Sequence, residues 1–107
     1  MIPRIVNIPM RTSNAAKCMQ GKKTATSRPF QYGYAGDFFR LFIGNREMYF
    51  ELTGVRVITL KEVAEQHFKE EGFNSPDEFK AEWRAIHPNK GYQDNWMVYF
   101  HTFKRKY

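Results

Sequence analysis

The segment from Phe38 to Ile58 limits the fold more than any other part of the chain. Phe38 to Ile43 reads as a strand, Gly44-Asn45 as a two-residue hairpin turn, and Met48 to Ile58 as the returning strand. In the return strand Phe50 and Leu52 share one parity while Val55 and Val57 occupy the other, and the phase slips at Gly54. A glycine at a parity slip predicts a β-bulge or sharp bend, the device by which a strand turns the corner of a small barrel.

Two helices follow, each with a start signal. Thr59-Leu60-Lys61-Glu62 is a capping box that predicts a helix to about Glu71, with Gly72 beyond it. Ser75-Pro76-Asp77-Glu78 is a second, with proline at the first helical position, and predicts a helix to about Ile86. Phe79, Trp83 and Ile86 recur at i, i+4 and i+7 and make its core face. Trp96 to Lys104 alternates as a final strand. Upstream, Ile5 to Ile8 predicts a short first strand, and Thr12 or Ser13 caps a helix through Asn14–Gln20 that Gly21 stops. Strands, a helical pair and a returning strand describe one α+β domain over residues 1–107, a small, mostly antiparallel β-barrel with flanking helices. Ten Phe and six Tyr predict a core rich in rings. Cys18 has no internal disulfide partner, and no long apolar run opens the chain, so a cytoplasmic protein with no membrane partner is expected.

Gly21-Lys22-Lys23-Thr24-Ala25-Thr26-Ser27-Arg28 is the densest chemistry in the chain, three cations and three hydroxyls with no acid between them. Two readings stand: a solvated basic loop leading into a strand, or a site whose ammonium, hydroxyl and guanidinium groups meet something anionic or carbonyl-bearing. The net charge of +6 is uneven, with +6 on residues 1–40, −3 on residues 41–89 and +3 on residues 90–107. If the basic ends meet, they form the footprint of a phosphate-bearing partner; otherwise the excess serves solubility. Phe30, Tyr32 and Tyr34 lie on the following glycine-punctuated loop, where they either stack on a base or plug one end of the β-structure.

On a helix from Leu60, a turn of about 100° per residue puts Leu60, Val63, Ala64, His67 and Phe68 on one stripe, with Glu71 at its centre. An inward carboxylate needs a partner, because burying it unpaired costs several kcal/mol. Lys23 or Arg28 is expected to face it across a cleft; otherwise Glu71 reaches solvent past the helix end. His67, His87, His101 and Cys18 lack metal-ligand spacing, so neither metal nor cofactor is expected.

With Gly-x-Lys-Thr-x-Thr-x-Arg, Gly36-Asp37 opening a strand, Glu70-Glu71-Gly72-Phe73 and a Phe79…Trp83…His87-Pro88 helix before a last strand, the chain resembles the ASCH domain family of PUA-like barrels over residues 15 to 104. The resemblance implies a β-barrel with flanking helices and a cleft, lined by the Lys-Thr motif, that binds RNA or a modified nucleoside. Some small bacterial members resemble amidohydrolases that remove the acetyl group of acetylated cytidine with a Lys, a Thr and a Glu. The matching positions here are Lys23, Thr26 and Glu71, with Lys22, Thr24, Arg28, Tyr32 and Tyr34 as the expected substrate- or RNA-binding residues. In that chemistry a lysine in a partly dry cleft acts as a base toward the Thr26 hydroxyl or a water, and Glu71 orients it or passes the proton on. Residues three apart on a strand face opposite ways, so a turn near Lys23 is predicted. The competing expectations are a non-catalytic RNA-binding module that adds the tail Lys104-Arg105-Lys106, and a protein-interaction domain.

Overall fold

A computed structural model describes residues 3–107. The predicted hairpin forms as β2 (Phe38–Ile43) and β3 (Arg46–Thr59), preceded by α1 (Thr12–Met19) and β1 (Ala25–Arg28). It is followed by α2 (Leu60–Gln66), α3 (Pro76–Ile86) and β4 (Met97–Arg105). The four strands make one antiparallel half-barrel sheet in the order β1-β4-β3-β2, so β1 is an edge strand.

The phase slip in β3 is a bulge: Leu52 pairs with Phe103 and Gly54 with Thr102, two residues of β3 against one of β4. Val55 and Val57 thereby return to the Leu52 side of the sheet, where Val57 is 52% exposed, while Ile58 on the other side is buried. The hydrophobic interior is in two parts. One packs α1 through Ala15 and Cys18 against Phe39, Phe50, Leu52 and Phe103. The other packs Val63, Ala64, Phe79 and Trp83 against Ala25, Val98 and Phe100. On β4, Val98 and Phe100 have one parity and Phe103 the other, so the two clusters occupy opposite faces of the sheet. Helix α1 lies on one face and α2 and α3 on the other.

Three boundaries differ from expectation. Ile5 makes only an isolated parallel bridge to Phe38, with Arg4 and Val6 both bonded to that residue, and no strand extends to Ile8. Helix α1 starts at Thr12, and Arg11 occupies the cap position with no side-chain bond, so neither Thr12 nor Ser13 caps it. Helix α2 does begin at the Thr59 cap but ends at Gln66 instead of Glu71. The carbonyl of Glu70 instead accepts the amides of Thr24 and Ala25, at 2.7 and 3.0 Å, and chain 67–72 turns to meet the start of β1. Helix α3 matches its prediction, with Ser75 accepting from the Glu78 amide. Its Ile86, expected in the core, is 43% exposed and borders a cavity. Among the described residues no helix is long and apolar enough to cross a membrane.

Candidate active site

Because the two helical layers overhang the edge strand from opposite faces, they leave a cavity of about 540 Å³ beside β1. Pro9, Met10, Arg11 and Asn14 form one wall, and Phe73, Phe79, Glu82, Trp83 and His87 the other. Thr26, Ser27 and Arg28 form the floor with Lys23 and Glu71. An edge strand presents both faces to a cavity that wraps around it. Thr26 and Ser27, of opposite parity, therefore both reach the same space.

Lys23 arrives by the predicted turn. Gly21 takes a φ of 78°, and the amides of Lys22 and Lys23 both fall back on the Lys17 carbonyl, at 2.9 and 3.2 Å. Gly72, at φ 95°, lies so close that a Cβ on it would stand 3.1 Å from Lys23 Cβ. This contact of turn against turn brings residues 23 and 71 together. Lys23 Nζ donates to Glu71 Oε1 at 2.8 Å and to the Glu71 carbonyl at 3.2 Å. Ser27 Oγ donates to Glu71 Oε2 at 2.6 Å. Both side chains of the ion pair are 4% exposed, and each carboxylate oxygen has its own donor. The inward glutamate predicted from a helical stripe is present, but on a turn.

Thr26 Oγ1 is buried and accepts from Arg28 Nε at 3.1 Å, which leaves its hydroxyl hydrogen free to be given away. Arg28 also donates to the Pro9 carbonyl at 2.6 Å and stands 5.8 Å from the Tyr32 ring centroid. Burial pulls its pKa below the ordinary arginine value. Beneath Thr26 lies His101, fully buried. Its Nδ1 meets the Thr26 and Tyr99 carbonyls at 3.2 and 3.0 Å, so it carries the hydrogen, and Nε2 accepts from the Tyr32 amide at 3.0 Å. This neutral histidine ties the cavity's aromatic wall to its floor.

Of the residues expected in the site, Lys23, Thr26, Glu71, Arg28 and Tyr32 converge on the cavity. Lys22, Thr24 and Tyr34 do not line it. Lys22 and Thr24 are exposed at the turn, and Tyr34 is 63% exposed beside Arg4. Among the polar lining residues, Arg11, Asn14, Ser27 and Glu82 were not singled out from sequence. Ser27 was visible only as the third hydroxyl of the basic run. Asn14 gave no signal. Glu82 was signalled by its place beside Trp83 on the apolar stripe of α3.

No protein-family model matches the chain. Over 90 residues, covering 79% of this chain and 84% of the relative, it is 33% identical to the N(4)-acetylcytidine amidohydrolase of Haemophilus influenzae (strain 86-028NP). An ASCH domain from Lactobacillus crispatus JV V101 shares the fold with a TM-score of 0.69 at 15% identity, over 95% of this chain and 78% of the other. A protein from Enterococcus faecalis V583 does so at 0.67 and 16%, over 98% and 80%. A curated relative of one third identity and a shared architecture agree, and the chain belongs to the ASCH family, the one that includes the N(4)-acetylcytidine amidohydrolases.

Proposed function

We propose that this protein is a cytoplasmic amidohydrolase that cleaves the acetyl amide of N4-acetylcytidine to cytidine and acetate. The observation that carries this reading is the buried Lys23–Glu71 pair, held beside Thr26 in a cavity of nucleoside size. The curated relative, whose name states this reaction, supports it. So do the aromatic walls, since Tyr32, Phe73, Phe79 and Trp83 offer ring faces and edges to a cytosine. The unpaired Cys18 suits a reducing compartment.

In the proposed reaction Glu71 takes a proton from Lys23 across their 2.8 Å bond, and the freed amine accepts the Thr26 proton as Oγ1 attacks the acetyl carbon. The C–N4 bond breaks as that proton passes to N4, releasing cytidine and leaving an acetyl ester on Thr26. Water, activated by the same pair, cleaves the ester to acetate and restores the hydroxyl. Ser27 fixes the Glu71 carboxylate, and Arg28 fixes Thr26.

The cavity's charge favours a neutral ligand over an RNA backbone. Arg11, Lys23 and Arg28 line it, but Glu71 and Glu82 line it too and pair with the first two, at 3.4 Å for Arg11–Glu82 and 2.8 Å for Lys23–Glu71. The test is acetate release from N4-acetylcytidine. Wild type is expected to release it and Lys23→Ala to abolish it. Because removing Lys23 leaves a buried carboxylate alone, Lys23→Ala/Glu71→Gln serves as a second inactive but folded variant. Unchanged turnover in either rules the reading out.

A further inference from the structure

Glu82 is a carboxylate where helical periodicity calls for an apolar residue. On α3, Phe79 and Trp83 are buried and Ile86 borders the cavity; Glu82 lies on that same stripe and points into the same cavity. From the opposite wall, Asn14 Nδ2 donates to its Oε2 at 2.9 Å and Arg11 Nη1 to its Oε1 at 3.4 Å. A carboxylate has about four acceptor positions, so each oxygen retains one directed elsewhere. The Asn14 amide oxygen, on a buried side chain, adds another acceptor.

The cavity is graded in depth. Lys23 and Glu71 are 4% exposed at its bottom, whereas Glu82 is 22% and Arg11 53% exposed. A nucleoside that enters acetyl group first leaves its sugar at the outer level, beside Glu82. Two adjacent hydroxyls are what two carboxylate oxygens with spare acceptor positions bind best, and a phosphate is what they repel. Resting on the nucleoside reading above, we infer that Glu82, held by Asn14 and Arg11, is a specificity-determining residue that accepts hydrogen bonds from the 2′- and 3′-hydroxyls of a ribonucleoside.

The experiment compares cytidine with 2′-deoxycytidine, by calorimetric binding to wild type and to Glu82→Gln, alongside hydrolysis of the two N4-acetylated forms. Glu82→Gln keeps an oxygen for Asn14 and removes the charge; Glu82→Asp, which keeps the charge one methylene further back, serves if the first variant does not fold. Wild type is expected to bind cytidine at least about tenfold more tightly than the deoxy compound, because the latter leaves a carboxylate position facing no donor. Glu82→Gln is expected to lose most of that preference, weakening cytidine, which has two hydroxyls facing residue 82, more than 2′-deoxycytidine, which has only the 3′-hydroxyl, and Glu82→Asp to show a reduced one. Equal binding of the two ligands by wild type, no binding of either, or an undiminished preference in the variants overturns the inference. If Glu82 only ties α1 to α3, its loss lowers thermal stability and leaves the preference unchanged, which also overturns it. Binding is scored without turnover. Preferential binding of cytidine with no hydrolysis therefore refutes the catalytic reading alone, and hydrolysis with no ribose preference refutes this one alone.

Discussion

Lys23 and Glu71, 48 residues apart in sequence, meet at 2.8 Å with each side chain 4% exposed. Such a pair is weak evidence for stability, since the cost of removing two charges from water offsets most of their attraction. Losing one partner is different, because the other charge then stays buried with no counter-ion. Lys23→Ala and Glu71→Ala are each expected to destabilise the fold by about 3–5 kcal/mol. Lys23→Ala/Glu71→Ala should lose clearly less than the sum of the two. Urea unfolding of the four proteins checks this, and additive losses would mean that the two groups do not interact.

Thr26 is the proposed site of the covalent step because it lines the same cavity as Lys23, and Arg28 occupies an acceptor position of its oxygen without claiming its hydrogen. Thr26→Val keeps the shape and removes the nucleophile, so turnover should fall by at least about 10²-fold. Thr26→Ser, which keeps an attacking oxygen, should remain within about tenfold of wild type. Acetate release measures both, and a trapped acetyl group on Thr26 in a quenched reaction identifies the intermediate. If Thr26→Val turns over normally, water attacks directly, with Lys23 as its base.

Gly72 provides a way to disturb the site without touching a reacting group. Its φ of 95° disfavours any side chain, and a Cβ there would stand 3.1 Å from Lys23 Cβ and from Lys17 Cδ. Lys17 can swing away at its far end, but Lys23 Cβ is fixed by the chain. Gly72→Ala is therefore expected to cost about 1–2 kcal/mol of stability and to reduce kcat more than the loss of folded protein explains. Thermal unfolding and steady-state kinetics on the folded fraction separate the two effects. A normal kcat would show that Lys23 tolerates the displacement.

The elements that positioned this site were legible where local chemistry decides them. The Thr59 and Ser75 caps, the Gly44-Asn45 turn and the glycine bulge are set within a few residues, and each formed where expected. The end of α2 was not legible. Its periodicity runs on past Gln66, whereas the chain there turns and the Glu70 carbonyl bonds to the amides of Thr24 and Ala25, a long-range contact that local periodicity does not report. Glu71 was thus found by assuming a helix that had already ended; its inward placement comes from Lys23 and Ser27. The same wheel applied to α3, a real helix, would have found Glu82 beside Trp83. Tyr34 shows the opposite failure: it shares a loop and a residue type with Tyr32, but only Tyr32 is held inward, by a histidine near the other end of the chain.

That histidine makes stability depend on pH. His101 is buried, and burial lowers its pKa from the ordinary 6.5. The unfolded chain therefore binds a proton more readily than the folded one, and stability rises with pH across this range. The contribution is complete above about 6.5 and is lost as pH falls from there toward the lower folded value. Protonation also turns Nε2 from an acceptor into a donor facing the Tyr32 amide, so the loss has a structural target, the wall of the cavity. His87, at the rim, is shifted down in the same direction by burial and adds to the slope. Asp37, held low chiefly by its bond to Arg4, acts only at more acid pH, below its ordinary 3.8. Urea unfolding between pH 5 and 8 is expected to show wild type losing stability toward pH 5. His101→Gln, weaker at pH 8 for want of these bonds, should have a flatter profile that retains only the His87 share. An equal slope in the variant would place the titration on another group.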